Sequence, residues 1–237
     1  MQQPRPSVGV VIPAAGIGKR MQAEQPKQYL PVLGKTILER TLERFVDLDF
    51  VSQVVVALAQ HDEQFSTLPI SQHPKVVTVT GGVERADSVF SGIEYFISKQ
   101  IEWVMVHDAA RPCVPQIDID NLYRQCIDNR TPGILAIPCR DTMKRAQPQS
   151  NVIDNTVDRQ NLWHALTPQC APTQLLHSAL LAQVNEDGQM NTKVTDEASA
   201  LEMHGVEVQL IEGSSRNIKV TLPEDLQLAE LFIASES

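Results

Sequence analysis

Apolar runs and amphipathic segments alternate along most of this chain. Runs of largely apolar residues occur at 8–12, 54–58, 76–79, 103–106 and 134–137. Short apolar runs bounded by Pro, Gly or polar residues are typical of strands buried on both faces of a parallel sheet. The segments between them are longer and carry apolar residues at helical spacing. The pattern therefore predicts strands that alternate with helices.

Three amphipathic segments carry the clearest helical signals. Thr36 and Glu39 form a capping box before the first, and segments 88–97 and 119–127 place their apolar residues on one face. Right-handed crossovers through such helices cover both faces of a mostly parallel sheet. Ligands of these folds bind beyond the carboxyl ends of the strands. We therefore expect functional side chains directly after Ile12, Val79, Val106, Ile137 and Val220.

One region breaks this alternation. Residues 140–160 are polar and have turn-forming residues at their centre. Long insertions are usually either functional or disordered, and the pairs Val152-Ile153 and Thr156-Val157 favour an ordered hairpin arm. We predict a single domain over residues 1–237 that carries this segment as an extended arm.

Composition and charge exclude several classes of function. The 237 residues carry a formal net charge of −9, which argues against a nucleic-acid-binding surface or an anionic membrane partner. The four cysteines show neither a C-x-x-C pair nor zinc-ligand spacing. The N-terminal segment is polar and no apolar run is long enough to cross a bilayer. We therefore expect a cytoplasmic globular protein with reduced thiols.

A loop of small residues follows the first apolar run. It begins after Pro13 and is followed by three cations, Lys19, Arg20 and Lys27. Small residues let backbone N–H groups approach a polyanion closely, and cations complement its charge. The spacing does not fit the P-loop or the G-x-G-x-x-G fingerprint, whose third glycine is replaced here by Met21. The loop predicts a phosphate site of another kind at the end of the first strand.

Three further polar clusters carry candidate chemistry. Gly81 and Gly82 allow close backbone approach to a flat ligand, and Ser88 can hydrogen-bond the edge of a base. Asp108 follows a predicted strand and suits a Mg²⁺ ion or a ribose hydroxyl beside the predicted phosphate site. Thr195 precedes two acidic residues and is predicted to cap a helix.

The first loop resembles a known signature. A-A-G-I-G-K-R-M at 14–21, followed by P-K-Q at 26–28, is similar to the motif of nucleotidyltransferases that activate sugar or polyol phosphates. The later clusters narrow this likeness to the 2-C-methyl-D-erythritol 4-phosphate cytidylyltransferases of isoprenoid biosynthesis, over residues 8–228. The chain departs from that pattern at Val83 and Leu166, where family members carry an acidic residue and Gln.

The resemblance implies a fold and a reaction. The fold would be Rossmann-like α/β, with a mostly parallel twisted sheet covered by helices on both faces and a β-arm used in dimerisation. The reaction would transfer CMP from CTP to the phosphate of 2-C-methyl-D-erythritol 4-phosphate and release pyrophosphate, with Mg²⁺ as cofactor. The expected partners are CTP, a polyol phosphate and, through the arm at 140–160, a second copy of the chain.

The resemblance also implies which residues act. The expected nucleotide-binding residues are Pro13, Ala14, Ala15, Gly16, Gly18, Gly81, Gly82, Ser88, Asp108 and Ala109. The acceptor would be held by Thr142, Arg159, Thr195 and Lys219, the first two reaching across a dimer interface. The expected catalytic cations are Arg20, Lys27, Arg159 and Lys219, and Asp108 is the expected metal ligand. Arg20 and Lys27 would face the α-phosphate of CTP, and Arg159 and Lys219 the acceptor phosphate.

Two other functions stay open at this stage. A cytidylyltransferase for another polyol phosphate, such as ribitol 5-phosphate, shares the first loop, although segments 141–144 and 156–169 favour methylerythritol phosphate. A catalytically silent nucleotide-binding protein on the same fold is the other alternative. The presence of the expected charged residues argues against it: Arg20, Lys27, Asp108, Arg159 and Lys219.

Overall fold

The computed structural model of the protein describes residues 5–16, 25–187 and 189–236. Gly18 and Arg20, which the sequence assigns to nucleotide binding and catalysis, lie outside the described residues. None of the helices in the described part of the chain is both long and apolar enough to cross a membrane.

The described residues form a seven-stranded sheet and two short two-stranded ones. The strands are β1 (Val8–Pro13), β2 (Pro31–Val32), β3 (Lys35–Thr36), β4 (Val51–Leu58), β5 (Val76–Thr80), β6 (Trp103–Val106), β7 (Gly133–Pro138), β8 (Met143–Ala146), β9 (Ile153–Val157), β10 (Trp163–Pro172) and β11 (Gln209–Glu212). The large sheet has the order β11-β7-β10-β6-β1-β4-β5. Strand β10 runs antiparallel to β6 and β7, whereas the other neighbouring pairs are parallel.

Helices cover both faces of this sheet. They are α1 (Ile37–Val46), α2 (Arg85–Ser98), α3 (Gln116–Asn129), α4 (Thr173–Leu181), α5 (Glu197–Met203) and α6 (Pro223–Ala234). One buried core contains side chains of α1 and α3, and a second contains side chains of α2, α4 and α5. The capping box predicted at Thr36 is present and opens α1. The predicted α/β fold with helices on both faces is confirmed.

Strand β1 lies in the interior of the sheet, between β6 and β4, and faces both cores. Val8, Val10 and Ile12 pack into the core of α1 and α3, whereas Val11 packs into the other. A strand with apolar side chains on both faces has no solvent-exposed side, which explains why its sequence is continuously apolar. The chain leaves this interior strand at Pro13, directly into the loop that the sequence marks as a phosphate site.

Glycines bring α2 unusually close to β1. A Cβ atom at Gly9 would lie 2.5 Å from the ring of Phe96, and one at Gly92 would lie 2.6 Å from Cγ1 of Val11. Real Cβ atoms do not approach other atoms this closely, so both positions require glycine at this helix-to-strand distance. This distance also fixes the position of the N-terminal end of α2, where Arg85 begins the helix.

The predicted arm is a two-stranded antiparallel hairpin. Met143 pairs with Val157 and Ala146 with Ile153. Most of its side chains are exposed, including Val152 at 59% and Ile153 at 58% of their full accessibility. The chain returns from the hairpin into β10, so the base of the arm is continuous with a strand in the middle of the sheet.

The sequence prediction was wrong about one strand, and it missed two strands of the large sheet as well as the short pair β2 and β3. Residues 217–221, expected to end in a strand at Val220, form a segment without regular secondary structure outside the sheet. The Val220 amide nevertheless donates to the Ala110 carbonyl at 2.8 Å, which holds this segment beside the loop after β6. The two missed strands of the large sheet are β10 and β11.

Candidate active site

Two adjoining pockets lie at the carboxyl edge of the sheet. The first pocket is formed by the loops after β1, β5 and β6 together with Lys27 and Lys219. Ten of the sequence-predicted residues line it: Pro13, Ala14, Ala15, Gly16, Lys27, Gly82, Ser88, Asp108, Ala109 and Lys219. Segments separated by up to two hundred residues in the chain therefore meet at the edge where the topology predicts a ligand.

The second pocket lies beside the first and shares three residues with it. It is bordered by residues of the β10 segment, including Thr167 and Gln169, and by Thr195 and Asp196 before α5. The shared residues are Arg85, Asp108 and Lys219. These three side chains form the boundary between the two pockets.

Asp108 is the centre of a buried ion-pair cluster. Its Oδ1 atom accepts from Nε of Arg85 at 2.9 Å, and its Oδ2 atom contacts Nε of Arg111 at 3.3 Å and Nζ of Lys219 at 2.9 Å. Burial raises the pKa of Asp108, but the charges of Arg85, Lys219 and Arg111 outweigh it and hold the pKa well below its ordinary range. The carboxylate is therefore ionised and aligns three cations at the boundary.

The loop around Asp108 is fixed on both sides. The Asp108 amide donates to Oγ1 of Thr167 at 3.1 Å, and Nη1 of Arg111 donates to the Asn217 carbonyl at 2.7 Å. His107 is completely buried, with its ring nitrogens 3.0 Å from Oγ1 of Thr167 and 3.0 Å from the Arg111 carbonyl. Burial lowers the pKa of His107 to about 4, so the ring is neutral at physiological pH. It is a structural histidine.

Arg85 connects the cluster to a second buried carboxylate. Its Nη1 and Nη2 atoms lie 2.7 and 3.2 Å from Oε1 and Oε2 of Glu197. Burial raises the pKa of the Glu197 carboxyl despite the neighbouring guanidinium. Burial also opposes the charge of Arg85, but Glu197 and Asp108 together raise the pKa of Arg85 above its ordinary value.

A short 3-10 turn at Lys27–Tyr29 holds Lys27 against the first pocket. Nε2 of Gln28 donates to the Ala14 carbonyl at 2.7 Å, which ties this turn to the loop after β1. The Tyr29 hydroxyl donates to Oδ2 of Asp62 at 2.6 Å. Nζ of Lys27 lies 3.4 Å from the Val220 carbonyl. The lysine is thus supported by two buried neighbours in its own turn.

The glycine loop after β5 is organised by Ser88. The Ser88 hydroxyl accepts from the Gly82 amide at 3.1 Å and lies 3.3 Å from the Glu84 carbonyl. Gly81 stands behind the pocket wall, where a Cβ atom would lie 2.7 Å from Oγ of Ser88 and 2.8 Å from Cβ of Ala15. Gly81 therefore permits close packing of this loop on the loop after β1.

The acceptor residues predicted from the resemblance fall into two groups. Lys219 and Thr195 border the second pocket. Thr142 and Arg159 are exposed on the arm and do not line either pocket of their own chain. Nη1 of Arg159 instead donates to the Arg140 carbonyl.

Asp196, rather than Thr195, caps α5. The Asp196 Oδ1 atom accepts from the Ser199 amide at 2.9 Å, so the predicted cap is wrong by one residue. Gln169 fixes the same turn, because its Nε2 donates to Oδ2 of Asp196 at 2.9 Å and its Oε1 accepts from the Ala198 amide at 2.8 Å. With Asp196 engaged in this way, Thr195 borders the pocket.

Sequence reasoning missed Arg85, Glu197, Gln169 and Gln28. A run such as Glu84-Arg85 before a helix is usually a solvated first turn, and nothing local marks Arg85 as buried. Its partner Glu197 lies 112 positions away. Gln28 had a usable signal, because it belongs to the P-K-Q motif that follows the first loop.

The donor set fits a magnesium ion that is held mainly by a substrate. Among the described residues there is no group of three or more His, Cys, Asp or Glu side chains that could hold a metal ion. Asp108 is a buried carboxylate beside the first pocket. Mg²⁺ commonly binds one or two carboxylates together with substrate phosphates and waters. Because both oxygens of Asp108 already contact cations, such an ion would take most of its ligands from substrate phosphates and waters.

The chain matches one protein family over nearly its whole length. Residues 8–235 match the family described as IspD: 2-C-methyl-D-erythritol 4-phosphate cytidylyltransferase. A curated relative of that name from Vibrio vulnificus (strain CMCP6) is 52% identical over 232 residues, which cover 97% of this chain and 96% of the relative. One from Shigella flexneri serotype 5b (strain 8401) is 50% identical over 226 residues, covering 95% and 93%.

Solved structures of proteins with the same name share the fold. The crystal structure of the Francisella tularensis 2-C-methyl-D-erythritol 4-phosphate cytidylyltransferase superimposes with a TM-score of 0.81 at 37% identity, covering 95% of this chain and 99% of that one. The protein from Thermus thermophilus gives a TM-score of 0.76 at 30% identity, covering 96% and 99%. The Rossmann-like fold expected from the sequence is therefore confirmed.

Proposed function

Because this chain belongs to the 2-C-methyl-D-erythritol 4-phosphate cytidylyltransferase family, we propose that its first pocket binds CTP and its second pocket the acceptor. The enzyme is a nucleotidyltransferase that transfers CMP from CTP to the phosphate of 2-C-methyl-D-erythritol 4-phosphate and releases pyrophosphate. The observation that carries the assignment is the shared boundary of Arg85, Asp108 and Lys219. Two substrates in these pockets would meet at a cluster of aligned cations.

The reaction requires two anions to approach each other. A phosphate oxygen of the acceptor attacks the α-phosphorus of CTP, and the bond from that phosphorus to the pyrophosphate oxygen breaks. The acceptor phosphate is already a competent nucleophile, so no general base is needed. Positioning and stabilisation of negative charge then account for most of the catalysis.

The cations divide between the two substrates. Lys27 lines the first pocket and stabilises the charge that develops at the α-phosphate. Lys219 borders both pockets and binds the acceptor phosphate as a compact point charge. Thr195 is positioned at the second pocket to hydrogen-bond the acceptor. Arg20, outside the described residues, is proposed to act with Lys27.

The loops after β1 and β5 hold the nucleotide. Pro13, Ala14, Ala15 and Gly16 are small or compact residues, so the backbone can approach the phosphates. The loop at Gly81–Gly82 is proposed to face the base. The proposed metal is Mg²⁺ with Asp108 as its protein ligand, and when bound it would neutralise charge on the triphosphate and favour departure of pyrophosphate.

The arm is proposed to complete the site of a second copy of the chain. Val152 and Ile153 expose apolar surface on the hairpin, which suits a protein contact. Thr142 and Arg159 lie on the same hairpin, outside the pockets of their own chain. In a symmetric dimer each arm would bring these two residues to the acceptor of the other subunit.

A pyrophosphate-release assay tests the assignment of substrates. CTP, UTP and ATP are each paired with 2-C-methyl-D-erythritol 4-phosphate and with ribitol 5-phosphate. The expected result is rapid release only with CTP and the methylerythritol phosphate. Preference for ribitol 5-phosphate would identify a different acceptor, and absence of release with every pair would indicate a silent nucleotide-binding protein.

Mixing two impaired variants, assayed at an acceptor concentration well below the Michaelis constant, tests the dimeric site. Lys219→Ala and Arg159→Ala chains are denatured, mixed in equal amounts and refolded, with each variant refolded alone as the control. If Arg159 acts across the dimer, each mixed dimer contains one intact site, and about a quarter of the wild-type activity returns. Activity no higher than that of the separate variants would contradict action across the interface.

A further inference from the structure

Arg85 occupies the junction between the two loops that face the pockets. It is the first residue of α2 and follows Gly82, Val83 and Glu84, all of which line the first pocket. Its Nε atom donates to Asp108, and its Nη1 and Nη2 atoms form a bidentate ion pair with Glu197. A single planar side chain thus engages carboxylates from two different segments of the chain.

Glu197 links this guanidinium to the segment that borders the second pocket. It is the first residue of α5 and directly follows Thr195 and Asp196, which border that pocket. Its side chain is almost completely buried, with 2% of the residue exposed. It does not itself line either pocket, so its effect on a bound substrate must pass through Arg85 or through its own helix.

We propose that Arg85 is a positioning residue that couples the two substrates, because it ties the nucleotide-facing loop before α2 to the acceptor-facing loop before α5. The proposal rests on the assignment of CTP to the first pocket and the acceptor to the second. A nucleotide that orders the loop at 82–84 also fixes Arg85. Through Glu197, the loop at 195–196 is then held ready for the acceptor, so the second substrate loses less freedom on binding.

The chemistry of the guanidinium explains why arginine occupies this position. Its donors lie in a rigid plane and can serve two carboxylates at once, whereas a lysine ammonium is a point charge on a flexible stem. Arg85 also donates a hydrogen bond to Oδ1 of Asp108, whereas Arg111 and Lys219 contact Oδ2. Removal of the guanidinium would therefore leave both loops folded, but no side chain would link the loop before α2 to the loop before α5.

The alternative is a pair that only stabilises the fold. Buried ion pairs are weak evidence for stability, and loss of one partner usually leaves an expensive unpaired charge. Under that alternative, changes at Arg85 or Glu197 lower the melting temperature but leave the mutual effect of the two substrates intact. Coupling and stability can therefore be measured separately.

The test is the affinity for 2-C-methyl-D-erythritol 4-phosphate with and without α,β-methylene CTP, measured by calorimetry on the full chain. The variants are Glu197→Gln, which keeps the side-chain shape, and Arg85→Lys, which keeps the charge beside the buried carboxylates. In the wild type, the CTP analogue should tighten acceptor binding on the order of tenfold. In both variants this ratio should fall close to one.

Glu236→Gln is the matched control, because it removes a carboxylate paired with Arg44 and Arg216 away from both pockets. It should keep the wild-type ratio. A wild-type ratio near one would overturn the proposal, as would variants that lose melting temperature but keep the wild-type ratio.

Failure of the coupling is distinguishable from failure of the substrate assignment. The wild-type chain is first assayed for pyrophosphate release from CTP and the acceptor. Absence of release would remove the assignment on which the proposal rests. Normal release together with a coupling ratio near one would remove only the role of Arg85.

Discussion

The two regions that supply acceptor-binding cations to the proposed site are held in different ways. Lys219 is tied to Asp108 at the sheet edge, in a cluster that also contains Arg85 and Arg111. Arg159 lies exposed on the arm, and its guanidinium donates to the backbone of the same region. The ion-pair cluster at the sheet edge forms within one chain, whereas most side chains of the arm are exposed.

This difference separates two tasks of a phosphate-transfer site. Charges fixed before the substrate arrives can stabilise a transition state without reorganisation at the moment of reaction. An exposed cation must lose side-chain freedom on binding and contributes mainly to the affinity for one substrate. We therefore expect sheet-edge variants to affect turnover or folding and arm variants to affect acceptor affinity.

The largest expected effect is that of Lys27→Ala on turnover. Removal of a preorganised positive charge from the transition state should lower kcat by about a hundredfold to a thousandfold. The affinity for CTP should change far less, because other groups of the first pocket also hold the nucleotide. Steady-state kinetics together with equilibrium binding of CTP would measure both, and equal losses in kcat and CTP affinity would contradict the transition-state role.

The second effect is a pH-dependent loss of stability in Asp108→Asn. The variant leaves three clustered cations without their shared carboxylate, and the free energy of unfolding near neutral pH should fall by about 3 kcal/mol. Because the folded-state pKa of Asp108 is depressed, its contribution is present above the ordinary carboxyl pKa of about 4 and is lost as the pH falls below it.

Urea unfolding at several pH values would measure this difference between wild type and variant. The gap should be widest near neutral pH and should shrink on acidification. Asp128→Asn, which removes an exposed ion pair with Arg5, is the control and should show little change. A gap that stayed constant with pH would be inconsistent with a charge-based contribution from Asp108.

A smaller effect is expected for Arg159→Ala on the arm. The Michaelis constant for the acceptor should rise on the order of tenfold, with that for CTP nearly unchanged, because one charged contact to the phosphate is lost. Arg145→Ala removes another exposed cation from the same hairpin and serves as the control. If both variants gave the same acceptor constant, Arg159 would have no specific role.

The smallest effect is expected for Tyr29→Phe behind Lys27. The variant removes one hydrogen bond to Asp62 and should lower the free energy of unfolding by about 1 kcal/mol. The position of Lys27 should change little, because Gln28 still fastens the turn to Ala14. Thermal unfolding would measure the loss of stability, and steady-state kinetics would measure kcat. A loss of kcat as large as that of Lys27→Ala would mean that the Tyr29 hydrogen bond, rather than Gln28, holds Lys27 in position.

Much of the fold could be predicted because its central strands are continuously apolar. Strands β1, β4, β6 and β7 are buried on both faces, and such strands leave a plain sequence signal. Strand β10 leaves no such signal, although its residues 166–171 are buried. It contains polar Thr167 and Gln169, which bond the Asp108 loop and the turn before α5.

The site was predictable where one motif carries several functional residues. The first loop, Lys27 and the clusters after β5 and β6 each follow a recognisable strand or signature, and they meet in the first pocket. The pair of Arg85 with Glu197 was not predictable, because it joins the first turns of two helices that are distant in sequence. Neither residue type nor spacing indicates which buried carboxylate a given arginine will reach.

The close packing of α2 on β1 sets a limit on engineering this enzyme for heat resistance. Replacing a glycine inside a helix by alanine usually stabilises the helix by about 1 kcal/mol, so Gly92 is an obvious candidate for such a programme. Here the added methyl group would lie 2.6 Å from Cγ1 of Val11 and would force the helix away from the strand. The helix begins at Arg85, and its displacement would move the loop before it. A substitution that improves helix propensity would therefore act as a loss-of-function mutation in the middle of the core.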